Sequence, residues 1–269
     1  MIVQLNSTRF RNCFYQKIGH GKPVFLVHGF GEDATIFKHQ TDDLQNSFEL
    51  IIPDLPGSGT SQLCDEEMNM ELLADFVFEI TEQENFQKII LLGHSMGGYL
   101  TMAFTQKFAH KLCAFGLIHS SAYEDDEAKK ETRRKSIKLI ENEGKEIFLK
   151  TMIPNLYSEE SKFMHSFEMQ EHLAMALNIS SKALIAYYNA MINRPDTRQI
   201  LALAKVPVLF VVGKKDNAIP YLHMIEQASM PAIVKIEILE KVGHTSMIEN
   251  KKELNRTINS FCLYVLEKK

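Results

Sequence analysis

Gly93-His94-Ser95-Met96-Gly97-Gly98 is the segment whose residue types and spacing most clearly suit chemistry. It follows the apolar run Lys88–Leu92 (KIILL) and precedes an amphipathic stretch, so the serine falls in a strand–turn–helix setting. There the turn is sharp and strained, and the serine Oγ points into a cleft. A Cβ at Gly93 or Gly97 would strike the neighbouring strand and helix. The helix N-terminus behind Ser95 favours negative charge at that point. Ser95 is the candidate nucleophile.

A serine hydroxyl needs a base, and the base needs an orienting acid. Gly243-His244 follows the alternating run Ile233–Leu239 (IVKIEIL). A histidine on a loop at the C-terminal end of a strand can reach the serine, which makes His244 the candidate general base. Asp216 lies in Val212–Pro220, after the apolar run Val206–Val212, one strand–helix–strand excursion before His244. No carboxylate follows the run Cys113–Ile118 until Glu124, which favours Asp216 as the acid. Acyl transfer also needs two N–H donors aimed at the developing oxyanion. The backbone of Met96, after the nucleophile, and of Phe30, in Val27-His28-Gly29-Phe30-Gly31, are placed to supply them. His28 and His94 read as structural hydrogen-bonding residues, and Asp54–Gly59 as a structural turn held by Asp54.

These loops need strands to carry them. The runs Pro23–Val27, Leu50–Ile52, Lys88–Leu92, Cys113–Ile118 and Val206–Val212 are continuously apolar, as strands buried on both faces are. Ile233–Leu239 alternates and suits a strand near the edge, and Cys13–Ile18 reads as an early antiparallel strand. Between the runs lie helical stripes: Leu72, Phe76 and Ile80; Met96, Leu100, Phe104 and Phe108; Leu254, Ile258, Phe261 and Val265. Ser246 and Glu249 read as the capping box that starts the last of these helices. Alternating strands and helices imply an α/β fold with a parallel sheet covered on both faces. The alternation stops between Ala122 and Leu203, which reads as a helical insertion, with the mixed charges of Ala122–Lys150 on a solvated face.

The chain's 269 residues and 45% hydrophobic content allow a sizeable core. A net charge of −4 gives no electrostatic reason to expect nucleic acid or an anionic membrane. No apolar run is long enough for a membrane span, and the first ten residues lack the apolar stretch of a signal peptide. The four cysteines are scattered without zinc-ligand spacing and read as reduced thiols, which fits the cytoplasm. No metal and no organic cofactor is called for, and the oligomeric state is open.

Taken together, HGFG at 28–31, DLPGSG at 54–59, GHSMGG at 93–98, GKKDNAIP at 213–220 and GH at 243–244 resemble the α/β-hydrolase superfamily, over nearly the whole chain. The resemblance implies a mostly parallel central sheet of about eight strands flanked by helices. It divides the chain into a core of residues 1–121 and 204–269 and a helical cap of residues 122–203. It gives Ser95, Asp216 and His244 triad roles and Phe30 and Met96 the oxyanion hole. The chain looks most like small capped esterases, C–C bond hydrolases and cofactor-free haloperoxidase-like members. A serine at position 95 argues against epoxide opening and halide displacement, which use an aspartate there. The expected activity is hydrolysis of a small-molecule acyl substrate, an ester first. C–C bond, lactone or thioester hydrolysis, or a ligand receptor with residual hydrolysis, are the alternatives. Tyr123, Phe148, Tyr157, Tyr187, Tyr188, Met191 and Ile219 are candidate pocket residues. Arg194 either meets a substrate carboxylate or forms a local salt bridge within Asn193–Asp196.

Overall fold

The computed structural model describes residues 1–267. Eight strands form one sheet in the order β1-β2-β4-β3-β5-β6-β7-β8. They are β1 (Ile2–Gln4), β2 (Phe14–Gly19), β3 (Lys22–Val27), β4 (Phe48–Pro53), β5 (Ile89–His94), β6 (Leu112–Ile118), β7 (Val208–Gly213) and β8 (Val234–Leu239). β1 and β2 join antiparallel, and from β4 through β8 every neighbour is parallel. The continuous apolar runs became the central strands. β5 and β7 are buried at every position, as strands covered on both faces must be, whereas β8 alternates and closes the edge. β1 was not anticipated: three residues carry too little pattern to distinguish a strand from a terminus.

The helices α1 (Lys38–Leu44), α2 (Met70–Gln83), α3 (Met96–Phe108), α10 (Tyr221–Ala228), α11 (Ser246–Glu249) and α12 (Lys251–Glu267) lie between or after the strands. The three predicted stripes fall on α2, α3 and α12, and most of their members are buried there. Between β6 and β7 the chain runs through α4 (Glu127–Glu143), α5 (Lys145–Asn155), α6 (Glu159–Met164), α7 (Ser166–Asn178), α8 (Ser181–Asn193) and α9 (Arg198–Ala202), with no strand. No helix among the described residues is long and apolar enough to cross a membrane.

The capping box at Ser246 and Glu249 is not formed. Asn250, with φ −148° and ψ 58°, interrupts the helix, so Ser246 begins the short α11 rather than α12. The Ser246 hydroxyl has no partner among the described residues. The Glu249 carboxylate instead accepts the backbone N–H groups of Gly243, Thr245 and Ser158 at 3.0–3.1 Å. It therefore holds the loop around His244 together with Thr245 at the start of α11.

Candidate active site

Four loops meet at the C-terminal edge of the parallel strands, where open α/β sheets place their ligands. Ser95 follows β5, Asp216 follows β7, His244 follows β8, and His28–Gly31 follows β3. Ser95 has φ 49° and ψ −115°, a conformation side chains rarely adopt, and it sits where the strand turns into α3. Its backbone is fixed from several directions. The Ser95 N–H donates to Ile118 O at 3.0 Å, while the Gly98 N–H and the Ser120 hydroxyl donate to Ser95 O at 2.9 and 2.6 Å. A Cβ at Gly97 would run into the Val27 carbonyl, so that position admits no side chain.

The Asp216 Oδ2 and the His244 Nδ1 lie 2.8 Å apart, and both side chains are buried. The other carboxylate oxygen accepts the N–H groups of Ala218 and Ile219 at 2.8 and 3.0 Å. Burial alone would raise the Asp216 pKa, but the charge and hydrogen bond of His244, with His119 Nδ1 3.5 Å away, hold it well below the ordinary carboxylate range. No hydrogen bond joins Ser95 Oγ to the His244 ring here. Contacts of this kind commonly close only in a substrate complex. Ser95 and His244 face one cavity of about 500 Å³. Among the described residues no acceptor takes the Phe30 N–H, and the Met96 N–H is at the first position of α3, where helices leave N–H groups unpaired.

A buried ion pair underlies this arrangement. The Glu32 carboxylate accepts the Gly29 N–H at 2.6 Å and the His94 Nδ1–H at 2.9 Å, and the His94 Nε2 lies 2.8 Å from the His244 carbonyl. Both His94 partners can only accept, so the ring donates from both nitrogens and is the imidazolium. Burial pushes the His94 pKa down, but Glu32, with the His244 carbonyl and Asp216, pushes it up, and the net shift is upward. For Glu32, burial is likewise outweighed by His94 and His172, and its pKa falls to about 2. One ion pair thus ties the Phe30 loop to the backbone of His244. Sequence reading assigned His94 correctly to a structural role but gave no sign of Glu32, its partner.

His28 is structural too, its Nε2 accepting the Leu55 N–H at 3.0 Å. Asp54 holds its turn through the N–H groups of Ala34 and Thr60. Of the candidate pocket residues, Tyr188, Met191 and Ile219 line the cavity, together with Phe30. Phe148 packs behind them, edge-on to both Phe30 and Tyr188. The other three lie off the cavity wall. Tyr187 is buried, donating to Pro56 O, Tyr157 bonds His172, and Tyr123 lies tilted beside His223. Arg194 forms no salt bridge to Asp196, which pairs with Arg198. It reaches Asp125 at 2.9 Å and lies over the Tyr99 ring at 3.8 Å. Arg194, the residue before Pro195, is extended at φ −67° and ψ 139°, and sequence proximity to Asp196 did not become contact.

His119, Asp216 and His244 also bring ligand-type atoms within 4.8 Å of one another. A cation there would have to displace the hydrogen bond that Asp216 already makes to His244.

The His172 ring, on α7, has its Nε2 3.9 Å from Glu32 and its Nδ1 3.1 Å from the Tyr157 hydroxyl. Burial lowers its pKa from 6.5 to about 4. Below pH 6.5 the unfolded chain therefore binds a proton that the native state refuses until about pH 4. This histidine's contribution is complete above 6.5 and is lost as pH falls through that window. Urea unfolding at pH 7 and pH 5 should show the wild type losing roughly 1–2 kcal/mol more than His172→Gln. Equal losses would mean that His172 is not held neutral.

Comparison with known proteins gives concordant matches. A family model described as serine aminopeptidase, S33 (Hydrolase_4) matches residues 19–251. The chain is 26% identical to the AB hydrolase superfamily protein YisY of Bacillus subtilis, with 92% of this chain and 94% of that one covered. It is also 26% identical to Lipase 3 of a Moraxella species, over 90% of this chain and 77% of that one. A thermophilic esterase from Thermogutta terrifontis, solved with malate bound, superposes with a TM-score of 0.92 at 29% identity, covering 98% of this chain and 99% of that one.

Proposed function

The chain belongs to the serine aminopeptidase S33 (Hydrolase_4) family of α/β-hydrolases, and from that premise we propose that it hydrolyses a small carboxylic ester through an acyl-enzyme on Ser95. The observation that carries this reading is the 2.8 Å Asp216–His244 hydrogen bond opening onto the cavity that holds the strained Ser95.

In this reading the His244 Nε2 takes the Ser95 Oγ proton as Oγ attacks the ester carbonyl carbon. Asp216 keeps the Nδ1 protonated and offsets the imidazolium charge. The tetrahedral oxyanion is received by the N–H groups of Phe30 and Met96, each such donor contributing about 3–4 kcal/mol in the transition state. The C–O bond to the leaving alcohol breaks, and the alcohol takes the proton from His244. Water then attacks the acyl carbonyl with His244 again as base, the acid departs, and the proton returns to Oγ. Residues 122–203 serve as the cap over residues 1–121 and 204–269, with Tyr188, Met191 and Ile219 at the acyl group. The four cysteines, scattered along the sequence, suit a reducing compartment, the cytoplasm.

A small sulfonyl fluoride or a fluorophosphonate should form one adduct, mapped by peptide mass to the segment carrying Ser95. His244→Ala should slow that labelling by about 10²-fold or more, because a neutral hydroxyl without its base is a weak nucleophile. Folded wild-type protein that fails to label, or labels equally without His244, would favour a ligand-binding protein on the same fold.

A further inference from the structure

The reaction as proposed uses nothing from α4, yet that helix borders the reaction cavity through Lys129 and Arg133. The Arg133 side chain is only 13% exposed. Its Nε donates to Asp125 Oδ2 at 2.6 Å, and its guanidinium lies 5.5 Å from the Tyr188 ring centre. Neither terminal nitrogen donates to a described residue, so four N–H bonds of a planar, already oriented fork lack an acceptor in the protein. Lys129 Nζ donates once, to Ala218 O at 3.0 Å, and lies 3.8 Å from Asp125.

The local charge does not balance. Asp125 is fully buried and shared by Arg133, Arg194 and Lys129. Asp126 also borders the cavity, but one of its oxygens caps α4 through the Lys129 N–H. Three cations thus stand against two carboxylates. Glu32, the other carboxylate of the cavity wall, is spent on His94. Much of the remaining wall is apolar: Phe30, Met152, Leu156, Tyr188, Met191 and Ile219. A guanidinium with an open fork beside a largely apolar wall is a receptor for a carboxylate, which it can meet through two parallel hydrogen bonds.

We propose that Arg133, assisted by Lys129, binds an ionised carboxylate of the substrate, so that the ester cleaved at Ser95 belongs to a molecule carrying a second, free carboxyl group. This rests on the Ser95 hydrolysis reading for the cleavage, though not for the binding.

Two measurements separate them. The first is turnover, at pH 8, of monoethyl adipate and 4-acetoxybutyrate, which carry the charge on the acyl and alcohol sides. Each is compared with its neutral ethyl ester. Wild type should favour at least one anionic member by about tenfold or more in kcat/KM. Arg133→Gln should lower the anionic rate about tenfold more than the neutral one, with Arg133→Lys intermediate. The second is calorimetric titration with adipate alone, expected to bind wild type and to bind Arg133→Gln at least tenfold more weakly. The wild-type comparisons need no variant, so they decide even if Arg133→Gln misfolds. Neutral esters cleaved as fast as both anionic ones, or adipate failing to bind, would overturn the carboxylate subsite while leaving hydrolysis intact. Adipate bound through Arg133 with no ester cleaved would instead remove the hydrolysis reading and keep the subsite.

Discussion

Ser95→Ala is expected to reduce kcat on a short-chain ester by a factor on the order of 10⁴–10⁶, leaving a remnant from oxyanion binding alone. The fold should survive. The backbone at this position is held by Ile118 O, Gly98 N and the Ser120 hydroxyl, none of which touches the serine Oγ. Alanine keeps the Cβ and hence the same strain at φ 49°. Ser95→Gly makes the complementary test. It should be equally inactive but more stable, because strain of about 1–3 kcal/mol at such a position is relieved when the Cβ is removed. Circular dichroism and thermal melting check the folding half, and ester titration the catalytic half. A Ser95→Ala protein retaining more than a tenth of wild-type kcat would sink the nucleophile assignment.

The parts legible in the sequence are those whose physics is local. A strand buried on both faces must be continuously apolar, so β3, β5, β6 and β7 announce themselves. A serine on a strained turn needs glycines at fixed offsets, so the elbow does too. The Asp216 and His244 candidates were legible because each lies in a loop after a strand, Asp216 after the continuously apolar β7 and His244 after the alternating β8. What escaped depends on contacts between distant residues. Glu32 meets His94 from 62 positions away, and Arg194 finds Asp125 from 69 away, in preference to the nearer Asp196. The charged stretch in α4 is mostly a solvated face, as its composition suggests, with Ile140 its one buried residue. Arg133 departs from that average because α4 packs against α5 and α8, which turns one of its charges toward Tyr188. Aromatic residues were the weakest guide. Tyr157 and Tyr187 fill interior space with their hydroxyls satisfied, which is the commoner use of a buried tyrosine.

Asp216→Asn should cost about 10⁴ in kcat, as the same change does in another serine triad. The structure gives a specific reason. Oδ1 of Asp216 accepts two backbone N–H groups, from Ala218 and Ile219, while Oδ2 faces the His244 Nδ1. An asparagine would keep its carbonyl oxygen on those two donors, because its amino group cannot accept them. The amino group is then forced toward His244, where it donates to Nδ1 and moves the ring proton to Nε2. That nitrogen faces Ser95 with a hydrogen instead of a lone pair and cannot take the hydroxyl proton. Asp216→Ala lacks the misdirecting donor, so it should be no more damaging than Asp216→Asn despite removing more atoms. Asp54→Asn is the control. Asp54 holds a turn through Ala34 and Thr60 and takes no part in the cavity wall, so it should alter stability more than kcat. Were Asp54→Asn the more damaging to kcat in a folded protein, the acid would have been assigned to the wrong loop. Labelling by the serine-directed probe should track kcat across the Asp216 variants. Both depend on the same lone pair, and a divergence between them would place the role of Asp216 after acylation rather than before it.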